Sequence, residues 1–111
     1  MKMTTLEIKQ MLDTLDIPVA YHHFPASRTP SLPFIAYQFP TSDPFFADGK
    51  VYAGTYDLDI RLCSEVKDFE LEARLDELLD SYDIPYFKSE YWIETERMFE
   101  TLYEAGVYIT G

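Results

Sequence analysis

The side chains able to do chemistry in this chain are few and scattered. His22 and His23 stand side by side between Tyr21 and Phe24, and imidazoles are the usual metal ligands and acid–base groups near neutral pH. Neighbours on a strand point to opposite faces, so these two rings could share one metal only through a distortion. Structural or surface histidines are the plainer reading. Asp57 and Asp59 lie two residues apart on one strand face, as a carboxylate pair for acid–base work would. Thr55 and Arg61 share that face, which reads as solvated, with Arg61 as a ready counter-charge. Cys63 is the lone cysteine and has no CxxC partner, which excludes an internal disulfide and fits an ordinary thiol in a reducing compartment, or in an assembly that never relies on disulfides. A minimal enzyme would have to combine His22 or His23 with Asp59. The four glycines are unclustered, so there is no phosphate loop, and nucleophile-elbow, zinc and dinucleotide signatures are missing. No catalytic residue, cofactor or metal is expected.

The elements that must position these residues follow from periodicity. Val51 to Cys63 alternates, with Tyr52, Tyr56, Leu58, Ile60 and Leu62 on one side and Thr55, Asp57, Asp59 and Arg61 on the other. That is a strand with one buried face, expected at the centre of an antiparallel sheet, with a bend or bulge near Gly54. Thr4-Thr5-Leu6-Glu7 is a capping box, and Ile8, Met11, Leu12 and Leu15 follow at helical spacing until Asp16 and Pro18 stop the helix. Val19 to Phe24 and Phe34 to Phe39 read as strands, joined by a proline-containing loop. Thr41 to Lys50 reads as a long connection that ends in the Asp48-Gly49 turn. A second helix is expected over Glu65 to Tyr82, on a stripe of Leu71, Leu75, Leu78, Leu79 and Tyr82. Strands over Tyr86 to Ile93 and Met98 to Ile109 complete the chain. The predicted order is α-β-β-β-α-β-β: one α+β domain over residues 1–111, with a single antiparallel-dominated sheet of about five strands and two helices packed on one face. Leu12-Asp13-Thr14-Leu15-Asp16-Ile17-Pro18 is echoed by Leu79-Asp80-Ser81-Tyr82-Asp83-Ile84-Pro85. Asp-Ile-Pro as a helix stop explains this more simply than a duplicated unit.

Twenty acidic residues against nine basic ones give a formal charge of -11. Such a charge repels phosphate backbones, which argues against nucleic acid as a partner. No apolar leader or membrane-length run is present, so no membrane role is expected and the chain reads as soluble and cytoplasmic. Asp76, Glu77, Asp80 and Asp83 run along the second helix as a water-facing surface or, alternatively, as a contact for a basic partner. Nine tyrosines, eight phenylalanines and one tryptophan exceed what a core of this size needs. Phe45, Phe46, Tyr91, Trp92, Tyr103 and Tyr108 fall in expected loops or strand ends, and exposed aromatics anchor protein interfaces. Core packing is the default for most of these aromatics and an equal alternative for the Phe45-Phe46 pair; Phe45, Phe46, Asp48, Tyr91 and Trp92 are the candidate interface residues.

Several segments together carry a family likeness. They are Pro18-Val19-Ala20-Tyr21-His22-His23-Phe24, Leu32-Pro33-Phe34-Ile35-Ala36-Tyr37 and Phe45-Phe46-Ala47-Asp48-Gly49-Lys50-Val51-Tyr52. They continue with Leu58-Asp59-Ile60-Arg61-Leu62, Lys67-Asp68-Phe69-Glu70-Leu71-Glu72, Tyr91-Trp92-Ile93-Glu94-Thr95-Glu96 and Tyr103-Glu104. Over nearly its whole length the chain resembles small head-to-tail joining and tail-terminator (tail completion) proteins encoded by phages and prophages of Gram-positive bacteria. The resemblance implies an α+β virion protein without enzymatic activity. It would work as a ring, commonly a hexamer, that caps the tail tube and docks to head-connector proteins, after assembly in the host cytoplasm. It implies no catalytic residues. The rival reading is a small acidic cytoplasmic adaptor or inhibitor that binds a basic protein.

Overall fold

The computed structural model describes residues 2–47 and 50–109, with side chains for residues 3–41 and 56–109. The chain runs β1 (Lys2–Met3), α1 (Thr5–Asp13), β2 (Val19–Tyr21), a 3-10 turn (Ala26–Arg28), β3 (Phe34–Gln38), β4 (Ser42–Ala47) and β5 (Lys50–Ser64). It then continues with α2 (Phe69–Ser81), β6 (Tyr86–Ile93) and β7 (Met98–Ile109). The fold is α+β, with all seven strands of the described residues in one mixed, mostly antiparallel sheet. At its centre β5 pairs antiparallel with β7, from Gly54 opposite Ile109 to Ser64 opposite Phe99. The other side of β5 is shared by β3, over Asp59–Cys63, and β4, over Lys50–Tyr56. The other side of β7 is shared in the same way by β6 and the two-residue β1. β2 lies beyond β3, in parallel.

From Asp57 onward the expected alternation of β5 is present: Leu58, Ile60 and Leu62 are buried, while Asp57, Asp59 and Arg61 are not; the side chains of Tyr52 and Thr55 lie outside the described residues. Tyr103, Ala105, Val107 and Ile109 of β7 join the same cluster, as do Ile35 and Tyr37 of β3. Both helices cover this face, through Ile8, Met11 and Leu12 from α1 and Leu71, Leu75 and Leu79 from α2. Arg74 Nη2 donates to the Leu15 carbonyl at 2.9 Å, tying the end of one helix to the other. Among the described residues, the opposite face carries no helix.

The helix ends explain the repeated heptapeptide. Asp16 and Asp83 both adopt left-handed backbone, with φ of 60° and 56°, a conformation that Asp tolerates better than most residues. Ile84 N–H then returns to the Leu79 carbonyl at 3.0 Å, the 6→1 bond of a helix C-terminal cap. Ile84 plugs the core, and Pro85 sends the chain into β6. At the other end of α1 the expected box is present in full: Thr4 Oγ1 accepts from Glu7 N–H at 3.1 Å and Thr4 N–H donates to Glu7 Oε1 at 3.0 Å.

Several boundaries move. α2 begins at Phe69 rather than Glu65, because Asp68 accepts from Leu71 N–H at 3.0 Å and caps the helix there. β2 stops at Tyr21, where His22 turns to a φ of 67°. The largest correction concerns Thr41 to Lys50. Residues 42–47 are not loop but form β4, folded back on β5; the expected Asp48-Gly49 turn lies outside the described residues. The register breaks between Phe45 and Phe46, which face Ala53 and Val51, so Tyr52 is the extra residue and the bulge sits two positions from Gly54. Among the described residues, β5 before Gly54 pairs with β4 alone. This hairpin therefore extends beyond the body of the sheet, and the molecule measures 50 × 29 × 22 Å. Its radius of gyration of 14.9 Å exceeds the roughly 13 Å of a compact chain this long.

The register makes a paired prediction. Ile60 is fully enclosed, so Ile60→Asp should cost on the order of 4 kcal/mol or more and leave the chain unfolded. Asp59→Ala, on the helix-free face, should stay within about 1 kcal/mol of the parent in urea denaturation. The reverse ranking would contradict the observed register.

Candidate functional site

His22 and His23 do not point apart. Because His22 lies just past β2 in left-handed backbone, the two rings swing together, with Nδ1 atoms 2.9 Å apart. One imidazole donates to the other, at an exposed corner. Among the described residues no group of three or more His, Cys, Asp or Glu side chains is placed to hold a metal ion. Asp59 is on β5 and the histidines lie beyond β2, with β3 between the two strands; no contact joins the imidazoles to Asp59 among the described residues. Arg61 is not the counter-charge of Asp57 and Asp59: its Nε lies 3.9 Å from Glu100 Oε1 across the β5–β7 pairing. Cys63 is buried, and burial, reinforced by Glu100 and partly offset by Arg61, pushes its thiol up to about 12. A thiol so disfavoured as thiolate is no nucleophile at neutral pH.

The candidate interface residues do not form one patch. Phe45 and Phe46 lie on β4, with side chains outside the described residues, and Asp48 itself lies outside them. Tyr91 and Trp92 lie on β6, each 46% exposed. Phe45 pairs with Ala53, whereas Tyr91 lies opposite Glu100, which pairs with Cys63. Ten β5 positions separate these rows, roughly 33 Å of strand. Trp92 packs edge-on against Phe99 at 4.9 Å, and its Nε1 donates to Glu94 Oε2 at 2.5 Å. Many of the remaining aromatics pack within the fold. Tyr21, Tyr37, Phe39 and Tyr56 form a chain of ring contacts with centroids 5.2–6.1 Å apart, and Tyr103 is fully buried rather than spare.

Tyr103 leads into a feature missed in the sequence. Glu72 is buried on α2 and is met by Lys67 at 2.5 Å and by Lys88 of β6 at 2.7 Å. Lys67 also reaches Glu90 at 2.5 Å, and Lys88 reaches Asp76 at 3.0 Å. Tyr103 Oη donates to Asp76 Oδ1 at 2.7 Å, beneath the Lys88 ammonium. The result is a closed lattice that binds α2 to β6 and β7. Burial alone would raise the Glu72 pKa, but hydrogen bonds to Lys67 and Lys88, with their charges, outweigh it and hold the carboxyl below its usual 4.5. The same bonds overcome burial at both lysines and raise them. Asp76 belongs to this lattice, so only part of the acidic run on α2 is free surface. A heptad count cannot find such a site. The one available hint was a lysine in the middle of the aromatic-rich β6.

The helix-free face carries a second concentration of charge. Asp59 and Glu104 are direct cross-strand partners, with Asp57 one position beyond on the same face. They border an open groove of about 540 Å³ together with Thr41 and Phe87, and Thr41 Oγ1 donates to Asp57. Facing like charges are unfavourable, and among the described residues no cation pairs with Asp57, Asp59 or Glu104.

The lattice predicts a pH profile. Because the folded Glu72 carboxyl lies below its unfolded value, its contribution is present above about pH 4.5 and is lost as pH falls through the folded pKa. The raised lysines contribute below about pH 10.4 and lose that contribution as pH climbs through their folded values. Glu72→Gln should cost about 1–3 kcal/mol at neutral pH and flatten the loss of stability on the acid side. Urea midpoints near pH 7 and near pH 3 measure both.

No known protein-family model matches this sequence, and no curated protein does either.

Proposed function

We propose that the chain is a non-enzymatic subunit of phage particle assembly, a tail-terminator or head-to-tail joining protein that acts as a ring on the tail tube. The observation that carries this reading is the β4–β5 arm. A lone two-stranded hairpin is marginal in water, yet this one extends past the point where β7 pairing begins. An arm of that kind gains support by docking on a neighbour, and a contact between two different surfaces of identical copies closes into a ring when the rotation allows. The resemblance across the chain points the same way. So does the acidic charge, which slows premature association.

The acidic groove at Asp57, Asp59 and Glu104 favours a second reading, an adaptor that receives a basic side chain of another protein. The two readings part at the arm. Replacing both Phe45 and Phe46 with serine should leave the folded domain within about 1 kcal/mol of its parent stability. It should abolish tail completion when the variant is supplied to a phage lacking its own copy. Full infectivity from a folded double variant would remove the arm, and with it the main support for the ring.

A further inference from the structure

Among the described residues, four strands have one edge unpaired, and three of them carry a device against further pairing. β1 has two residues. β2 has three, bounded by Pro18 and the left-handed His22. β4 contains Pro44, which lacks a donor, and its pairing with β5 shifts register between Phe45 and Phe46. Short strands, proline and bulges are the common means of blunting an edge. β6 has none of them. It pairs with β7 over eight residues without a break, and Phe87, Tyr91 and Trp92 stand 81%, 46% and 46% exposed along it. An edge lysine can also protect a strand, but Lys88 is drawn inward to Glu72 and Asp76.

The backbone restricts what such an edge can accept. Gly106 N–H donates to the Pro85 carbonyl at 3.4 Å, and bonded positions alternate in an antiparallel ladder. Phe87, Ser89 and Tyr91 therefore bond toward β7, which leaves the N–H and C=O groups of Tyr86, Lys88, Glu90 and Trp92 facing outward. For two copies of β6 to pair antiparallel through these groups, the two-fold axis must pass through a residue rather than between residues. Centred on Lys88, the pairing sets lysine against lysine. Centred on Glu90, it opposes two carboxylates. Centred on Ser89, Lys88 meets the partner subunit's Glu90, Phe87 meets the partner subunit's Tyr91, and Tyr86 meets the partner subunit's Trp92. Each of these pairs then occurs twice. This register faces no like charges, and it pairs aromatic side chains, a favourable kind of cross-strand pair.

We propose that β6 is the docking edge for β6 of a second copy, antiparallel about a two-fold axis through Ser89. The joined sheets are continuous, with the helices of both copies on one side. The contact is isologous and closes at two copies, so it is independent of the ring reading. It occupies Tyr91 and Trp92, so the pair and any ring contact through those residues exclude each other.

The test uses the full chain at about 0.15 M salt, where the repulsion between copies of -11 charge is screened beyond about 8 Å. Sedimentation over rising protein concentration should reach twice the 13.0 kDa chain mass and stop there. Ser89→Cys should give a disulfide-linked dimer under mild oxidation, because facing residues at a non-hydrogen-bonded antiparallel position lie about 4.5 Å apart. Glu70→Cys, exposed on α2, should not, and the native Cys63 is buried. Tyr91→Glu, which opposes a carboxylate to Phe87, should weaken the pair by about tenfold or more with the fold retained by circular dichroism. A chain that stays monomeric overturns the proposal. So does any assembly, of two copies or more, in which Ser89→Cys links no faster than Glu70→Cys.

Discussion

The antiparallel pairing of β5 with β7 is the contact on which every other element depends. The ladder from Gly54–Ile109 to Ser64–Phe99 brings together residues far apart in sequence, and no local turn assists its closure. Once it exists, it offers two long edges and one apolar face. The edges recruit β3, β4, β6 and β1, each over part of its length. The face, with Leu58, Ile60, Tyr103 and Val107, is what both helices cover. A charge at Ile60 would therefore remove the platform itself.

Placed on that platform, α2 is held by more than leucine. Lys67, Glu72, Asp76, Lys88, Glu90 and Tyr103 satisfy one another where the helix crosses β6 and β7. Leucines on a helix stripe permit sliding and rotation at small cost, whereas a buried carboxylate between two ammonium groups tolerates little displacement. Removing one partner strands charge in a poorly solvated site. The lattice sets the position of α2, and it also pulls Lys88 away from the strand edge it would otherwise guard.

The surfaces left uncovered are of different kinds. Among the described residues, the arm lacks support from the rest of the fold, the β6 edge lacks a hydrogen-bonding partner, and the groove at Asp59 and Glu104 lacks a cation. Each is an unfavourable term for the isolated chain that a partner would relieve. The arm and Tyr91 lie roughly 33 Å apart along β5, so the chain can present separate contacts to separate neighbours.

Local patterns in the sequence determined a good deal: the Thr4–Glu7 box, both amphipathic stripes, the alternation through Ile60, and the exact spans of β6 and β7. Period and capping depend on near neighbours, so one chain suffices to read them. The Asp-Ile-Pro echo was equally legible, because a left-handed cap is a local device. Other features were decided only by the tertiary structure. Thr41 to Lys50 looked like a loop because Pro44 and the Asp48-Gly49 pair dominate its composition, and pairing with β5 overrides that preference. His22 and His23 meet because the chain turns left-handed where a continuing strand would have separated them. Tyr103 looked spare until β7 and α2 were brought face to face. Which strand edge stays open is likewise invisible beforehand: an edge is defined by the partner a strand lacks, and pairing between distant segments exists only in the folded chain.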